Sequence, residues 1–436
     1  MLTFLKCAGM AFDTPPFVGG GIEVANEGRL SRARKYFLEN YNNVVTWLVC
    51  LYILILPTRF LTTIKDFLCI SCLCLWFGRM VLEKKLLFKR TPLDIPILIF
   101  GALIVASIFT SISPWKTADQ IRGEFLKVFA VFYFSVNNIN TTRQIRTVIT
   151  CVVWTSLIYA LYSVTGSTLL GVHVVGKGGL IDFPGGQVAG LFINIFLGFL
   201  IASFCYTNDI RKRVLLGFII FANIAALYVA STRAAVVALF FQLILFFRDS
   251  LKKVALVILG FVCLLIMLPC HSIWHGDDIG IRVFHDFFHK SPEELYKGGS
   301  TTDRIASYKY HLSIIKKNPL YPHGWGRFYA SKRKLLYTVR SYDPLSAYLS
   351  IWFQLGLQGL LVFIFLFYKL IRIFWVNKDD ENGALFAGFL LMTVGFAVNI
   401  AFGDFYGDSQ ALMLWLLSGM GVGLYLNPEK VKVENK

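Results

Sequence analysis

The sequence predicts an all-α polytopic membrane protein with about twelve transmembrane helices. Three observations lead there. Hydrophobic residues make up 56% of the 436-residue chain and charged residues only 16%, whereas a soluble domain carries about 25% charged residues. Mean hydropathy is +0.61, and apolar runs of spanning length recur from residue 44 to the C-terminus. Such runs cross a bilayer as helices because a helix satisfies every backbone group within itself. Finally, the basic residues fall in alternate loops, as membrane topology requires.

The elements follow in order. Residues 1–43 lack a basic start, a long apolar region and a small-residue cleavage site, so they read as a retained cytoplasmic segment and not a signal peptide. The expected spans are 44–58, 66–83, 93–112, 124–137, 145–165, 187–206, 213–230, 234–247, 253–271, 346–375, 382–402 and 409–427. The domain plan is therefore a bundle over 44–271, a large outer loop over 272–342, three further spans within 343–427, and a cytoplasmic tail over 428–436. Three runs, 44–58, 124–137 and 234–247, are short. The middles of the spans are nearly free of charge, with Lys127 as the exception.

With the N-terminus inside, the cytoplasmic segments carry clusters such as Arg29/Arg32/Arg34/Lys35, Lys84/Lys85/Lys89/Arg90, Arg211/Lys212/Arg213 and Lys369/Arg372/Lys378. The opposite short loops carry far fewer basic residues, and loop 403–408 carries none. This alternation places both termini inside. It also accounts for most of the net charge of +17, so no nucleic-acid partner is implied.

The loop over 272–342, about 70 residues, is much longer than an ordinary connection, and loops of that length are functional or disordered. Apolar and aromatic residues throughout it point to folding. Within it, "STTDRIASYKYHLSIIKKNPLYPHGWGRFY" reads as a helix with Thr302 as N-cap, Arg304 in the first turn and an apolar stripe at Ile305, Tyr308, Leu312 and Ile315. Pro319 stops it, and "HGWG" makes a glycine-rich turn. Asp343-Pro344 marks the turn back into the membrane. Gly356 and Gly359 then serve either a bend or close helix packing.

"LYVASTRAAVVALF" (227–240) sets an arginine, Arg233, between two apolar runs. An unpaired charge at the bilayer centre costs about 2.5–3.5 kcal/mol or more. The span plan places Arg233 instead in a tight outer turn, where it either snorkels or binds a ligand. Arg304, Arg327, Arg340 and, on the loop 176–187, Lys177 join it on the outer face. Together they suit a phosphate-bearing ligand, because guanidinium forks match phosphate oxygens.

Three stretches resemble the O-antigen ligase and polymerase superfamily of bacterial envelope enzymes. They are "STRAA" at 231–235, "DRIASYKYHLSIIKKNPLYPHGWGRF" at 303–328 and "SAYLSIWFQLGLQGLL" at 346–361. The resemblance implies a GT-C-like fold with one large folded periplasmic loop, in the bacterial inner membrane. It implies metal-independent, inverting transfer of a glycan from undecaprenyl diphosphate to a hydroxyl on lipid A–core oligosaccharide, or in polymerases on another lipid-linked repeat unit. The partners implied are that donor, that acceptor and membrane lipids, with no cofactor. Arg233 and Arg304 match the family's arginines, as catalytic groups that stabilise the leaving diphosphate. Arg327, Arg340, Lys177 and Tyr308 are the diphosphate- or glycan-binding candidates. The family's His-Asn pair aligns with Leu345-Ser346, so the usual histidine is absent. Asp343 is the candidate base and His323 the alternative.

Other readings carry less. The outer loops hold no DxD motif, and Asp277-Asp278 reads as a solvated pair, so no metal site is expected. Cys69, Cys72 and Cys74 lie inside an apolar span with no histidine nearby and read as packing. A lipid-linked oligosaccharide flippase or other transporter would show charged span centres and internal repeats, which this chain lacks.

Overall fold

The computed structural model describes residues 24–58, 61–111, 113–169, 186–230, 232–248, 252, 255, 258, 300–326, 346–379, 381–403 and 408–427. Among these residues every regular element is helical. In chain order the helices are α1 (Val24–Ile55), α2 (Thr62–Glu83), α3 (Asp94–Ala106), α4 (Pro114–Gln120), a π-helical turn (Ile121–Leu126), α5 (Lys127–Asn138), α6 (Thr142–Leu169), α7 (Gly186–Tyr206), α8 (Ile210–Val229), α9 (Arg233–Phe247), α10 (Ser300–Ile315), α11 (Ala347–Val376), α12 (Gly383–Asn399) and α13 (Asp408–Tyr425). Two compact units divide the chain at Val44. In the first, Phe37 meets Tyr41 edge-on at 5.6 Å. The second runs from Val45 onward.

Among the described residues five helices are long and apolar enough to cross a membrane: Thr142–Gly166, Val188–Tyr206, Ile210–Val229, Ala347–Val376 and Gly383–Phe402. Asn40–Ile55, Asp94–Ala106 and Ala234–Phe247 are shorter apolar helices. The expected span 253–271 falls almost wholly outside the described residues. The molecule's surface agrees with a membrane. Phe67, Ile95 and Phe221 are 68%, 71% and 71% exposed, in contact with what would be lipid, while polar side chains such as Asn194, Gln242 and Asn399 are fully buried. A water-soluble bundle would invert that distribution.

Packing between helices follows the membrane rule that small residues let backbones approach. A Cβ added at Gly198 of α7 would stand 2.6 Å from the backbone nitrogen of Met392 on α12, and one at Gly419 of α13 would stand 2.5 Å from the Phe132 carbonyl of α5. Gln242 of α9 ties three helices. Its Nε2 donates to the Asn194 carbonyl of α7 at 3.0 Å and to the Leu391 carbonyl of α12 at 2.9 Å. Around it lies an aliphatic core of Leu197, Leu200, Ala226, Ala235 and Leu391.

Two charges in otherwise apolar surroundings find partners. Lys127, at the start of α5, pairs with Asp66 of α2 at 2.5 Å. Lys65 is buried, and its Nζ donates to the Thr58 carbonyl and, at 3.0 Å, to Ser409 Oγ of α13. The cysteines of the "CISCLC" run are free thiols, with Cys69 and Cys72 buried and Cys74 exposed.

Candidate functional site

The site is built on a broken helix. α11 runs from Ala347 to Val376, but Gly356 inside it has φ 76° and ψ 177°, a backbone region essentially reserved for glycine. A break of this kind frees carbonyls and amides that hydrocarbon cannot satisfy. The segment that follows α10 satisfies them. Residues 319–324 run antiparallel to 353–357. Leu357 N donates to the Pro319 carbonyl at 2.9 Å, His323 N to Phe353 at 3.3 Å and Gly324 N to Gln354 at 3.1 Å. Side chains complete the lattice: Trp352 Nε1 donates to the Pro319 carbonyl at 3.1 Å, and Gln358 Nε2 donates to the Leu320 carbonyl at 2.9 Å. Of the two functions open for the Gly356/Gly359 pair, Gly356 serves the bend.

α10 is held on the same helix. Among its described side chains the buried ones are Ser307, His311 and Ile315, one face at i, i+4 and i+8. His311 meets the Phe353 ring edge-on at 4.9 Å, and His323 lies over the same ring at 4.5 Å. His311 Nδ1 lies 2.7 Å from the Ser307 carbonyl, to which it donates in the tautomer that fits. Burial pushes the His311 pKa down to about 4, so the ring is neutral at neutral pH.

Two details differ from expectation. α10 begins at Ser300, so Thr302 lies inside the helix and not at its cap. Arg304 becomes the fifth residue, one turn deeper than expected. The buried stripe also differs: Ile305, Tyr308 and Leu312 are half-buried, and of the expected stripe only Ile315 is fully buried. Neighbouring polar positions form the face because His311 bonds back to the Ser307 carbonyl of its own helix and packs on Phe353.

Next to this lattice the "HGWG" turn docks between the C-terminal end of α3 and the broken helix α11. Trp325 N donates to Ser107 Oγ at 3.0 Å, and Gly326 N donates to Gln354 Oε1 at 3.2 Å. Gly326 has φ 110°, and a Cβ there would overlap Gln120 Oε1, the residue just before the π-turn. Beside the turn lies a small cavity of about 30 Å³. Its walls are aromatic: Trp325, Phe100, Phe125, Phe129, Phe363 and Trp415. Trp325 stands edge-on to Phe100 at 6.0 Å, and Phe129 packs on Trp415 at 4.9 Å. Among the described lining residues Glu124 is the one ionisable side chain, and its Oε2 is buried.

The sequence-predicted residues are placed as follows. Arg233 is the first residue of α9 and Arg304 lies in α10; both side chains lie outside the described part. Tyr308 is half-buried on α10, and His323 is half-buried in the docked turn. Asp343, Arg327, Arg340 and Lys177 lie outside the described residues. Sequence reasoning missed His311, Gln354, Ser107 and the π-turn with Glu124. Only the acidic residue beside an apolar run was a visible signal. Among the described residues no three His, Cys, Asp or Glu side chains group to hold a metal ion.

An all-helical membrane bundle, with a loop helix and a glycine turn locked onto a broken spanning helix, defines a membrane protein that assembles a site at one end of its bundle. The family follows from comparison. Residues 216–364, which include α9, α10, the docked turn and the break in α11, match the family model described as O-antigen ligase, a match that supports membership of the O-antigen ligase superfamily. Members of that family are glycosyltransferase-like enzymes. No curated protein matches the chain.

Proposed function

We propose that the chain transfers a glycan from undecaprenyl diphosphate to a hydroxyl on lipid A–core oligosaccharide, at the periplasmic face of a bacterial inner membrane. The observation that carries this reading is the docking of α10 and its glycine turn onto the break in α11, all within the family-matched stretch. That docking fixes the backbone of the Arg304 helix relative to the membrane-spanning part. In the proposed topology about twelve spans keep both termini cytoplasmic, and 272–342 forms the periplasmic loop of a GT-C-like fold.

The acceptor hydroxyl attacks the anomeric carbon from the face opposite the diphosphate, so the anomeric configuration inverts. The bonding electron pair leaves with the diphosphate, and negative charge grows on the bridging oxygen. Arg233 and Arg304 stabilise it, an electrostatic contribution worth about 2.7–4 kcal/mol per well-placed donor. Arg327, Arg340, Lys177 and Tyr308 contact the diphosphate and glycan. These arginines take the place of a metal ion. Because the family's histidine position is Leu345, the proton acceptor comes from elsewhere in the chain. The same difference supports a second reading, polymerisation, in which the acceptor is another lipid-linked repeat unit.

A deletion strain tests both, with its surface glycan separated on a gel. Uncapped core beside intact lipid-linked polymer is the result expected for a ligase. Core capped with single repeats identifies a polymerase. Unchanged capped core overturns the proposal.

A further inference from the structure

The lipid-facing surface differs in height around the bundle. On α8 the exposed apolar residues run from Ile210 through Val214, Phe218 and Phe221 to Tyr228. That stripe rises about 27 Å, close to a hydrocarbon core of about 30 Å. The flank of α2 and α3 is shorter. α3 has 13 residues, a rise of about 20 Å. Its exposed stripe of Ile95, Leu98 and Val105 ends at Phe109, which is 89% exposed. Lys89 and Arg90 precede the stripe, and Ser111 and Ser113 follow it. On α2, exposed Phe67, Ile70 and Phe77 lie between the Lys127–Asp66 and Arg79–Glu83 ion pairs. From Asp66 to Arg79 the helix again rises about 20 Å. At the end away from the docked turn, α3 is anchored beside the long helices, where Lys89 Nζ donates to Asn427 Oδ1 at 2.9 Å. Its other end carries the turn: Ser107 Oγ accepts from Trp325 N, and Gly324 abuts Ser111.

An apolar band about 10 Å too short is met by bilayer thinning, by snorkelling or by oligomerisation. Tilting the helices would shorten the band further. Snorkelling serves long basic side chains, whereas the rim of this flank also holds exposed Asp66 and Asp119, whose carboxylates sit one carbon from the backbone. We propose that the bilayer thins by about 10 Å along the α2–α3 flank, so that headgroups on the site side lie level with the docked turn, and that a lipid-borne diphosphate reaches the site there. Acyl chains cover the stripe up to Phe109. Headgroups meet Ser111, Ser113 and the exposed Trp115, a residue type enriched at that boundary. The thinning stands on the geometry alone, and the delivery role rests on the glycosyl-transfer reading above.

The test uses the full-length protein in dimyristoleoyl, dioleoyl and dierucoyl phosphatidylcholine, bilayers of increasing thickness. Nitroxides at Phe109→Cys and Tyr228→Cys mark the site-side rims of the short and tall flanks, in protein whose native cysteines are replaced by alanine. Collision with oxygen and with a water-soluble nickel chelate reports their depth. In dioleoyl bilayers the two labels are expected within about 5 Å of each other in depth below the phosphates. A Phe109→Cys label deeper than that overturns the thinning. Dipolar coupling between such labels on two copies also overturns it, because a second copy then covers the flank. Wild-type protein supplies the second readout, with an undecaprenyl-diphosphate-linked oligosaccharide as donor and both lipid A–core oligosaccharide and a second lipid-linked repeat offered as acceptors. Transfer is expected to slow more than about twofold from dimyristoleoyl to dierucoyl bilayers, as thicker leaflets lift headgroups above the turn. A smaller change overturns the delivery role. Protein that transfers to neither acceptor in any bilayer overturns the glycosyl-transfer reading and the delivery role with it, while the depth comparison still decides the thinning.

Discussion

Replacing Gly356 by alanine perturbs the site at its narrowest point. The residue sits at φ 76° and ψ 177°, and holding a non-glycine residue in such a region costs about 1–3 kcal/mol. The new Cβ would also stand 2.5 Å from the Leu320 carbonyl oxygen, a backbone atom that cannot rotate away. The 319–324 segment must move, which weakens the bonds from Leu357 N at 2.9 Å and from Gln358 Nε2 at 2.9 Å. At about 1 kcal/mol net per hydrogen bond, the total is about 3–5 kcal/mol against docking. That shifts the docked–undocked equilibrium by about two to four orders of magnitude. Hydrogen exchange at the amides of His323, Gly324 and Leu357, the three backbone donors of the lattice, should accelerate accordingly in detergent-solubilised protein. Glycan transfer should fall in parallel. Gly78→Ala in α2 is the control, because nothing lies within 4 Å of its added Cβ; it should be neutral or slightly stabilising. Unchanged exchange and activity in Gly356→Ala would refute the view that the glycine break governs docking.

Other predictions follow from single observations. His311 is held at a pKa of about 4 against an ordinary value of 6.5; its folded pKa is the lower one, so its contribution is fully present above pH 6.5, declines as pH falls from 6.5 toward 4, and levels off below. Docking of α10 should weaken by about 3 kcal/mol across that window, read as protease access to residues 300–326, and a pH-independent access would contradict it. Gln242→Leu removes the two bonds that join α9 to α7 and α12. At about 0.6–2 kcal/mol per membrane-buried bond, the resistance of the bundle to denaturing detergent should fall measurably. Transfer activity is expected to persist in EDTA, and loss restored by Mg²⁺ or Mn²⁺ would redirect attention to Asp277 and Asp278.

The long spanning helices were legible because apolar length is a strong signal. The run read as 346–375 forms the helix Ala347–Val376, and 213–230 lies within Ile210–Val229 plus one residue. Where the reading failed, tertiary contacts decided. The run read as a single span over 93–112 ends as an α-helix at Ala106, where the chain tightens into turns with Ile108 N bonded to Val105 and Phe109 N to Ala106. Lys127 looked like a violation of the apolar rule, and the sequence does not say that Asp66, 61 positions away, neutralises it. The π-turn carries no composition signal, since "IRGEFL" continues a helical pattern without interruption. Gly356 was visible as a residue, yet a bend and a close contact require the same glycine. Only the partner carbonyls of 319–324 separate the two. Of the site itself, the arginine-bearing helix and its glycine turn were readable as elements, whereas their docking partner was not.

Docking and chemistry are separable in this arrangement. The bonds that hold the turn are made by backbone groups and by Trp352, Gln354, Gln358 and Ser107. The arginine side chains are therefore not needed to explain why α10 sits where it does. An Arg304→Lys change keeps the charge but loses the planar fork that matches two phosphate oxygens. It should leave amide exchange at His323, Gly324 and Leu357 as in wild type and still remove most of the transfer activity. Arg233→Lys should behave in the same way, although it lies on a different helix. A snorkelling arginine would tolerate lysine with little change in rate. Gly356→Ala should give the complementary result, with fast exchange at the three amides and both arginines intact. If both lysine variants transfer glycan at near wild-type rates, at matched expression and membrane insertion, the two arginines only anchor helix ends and the diphosphate is held elsewhere.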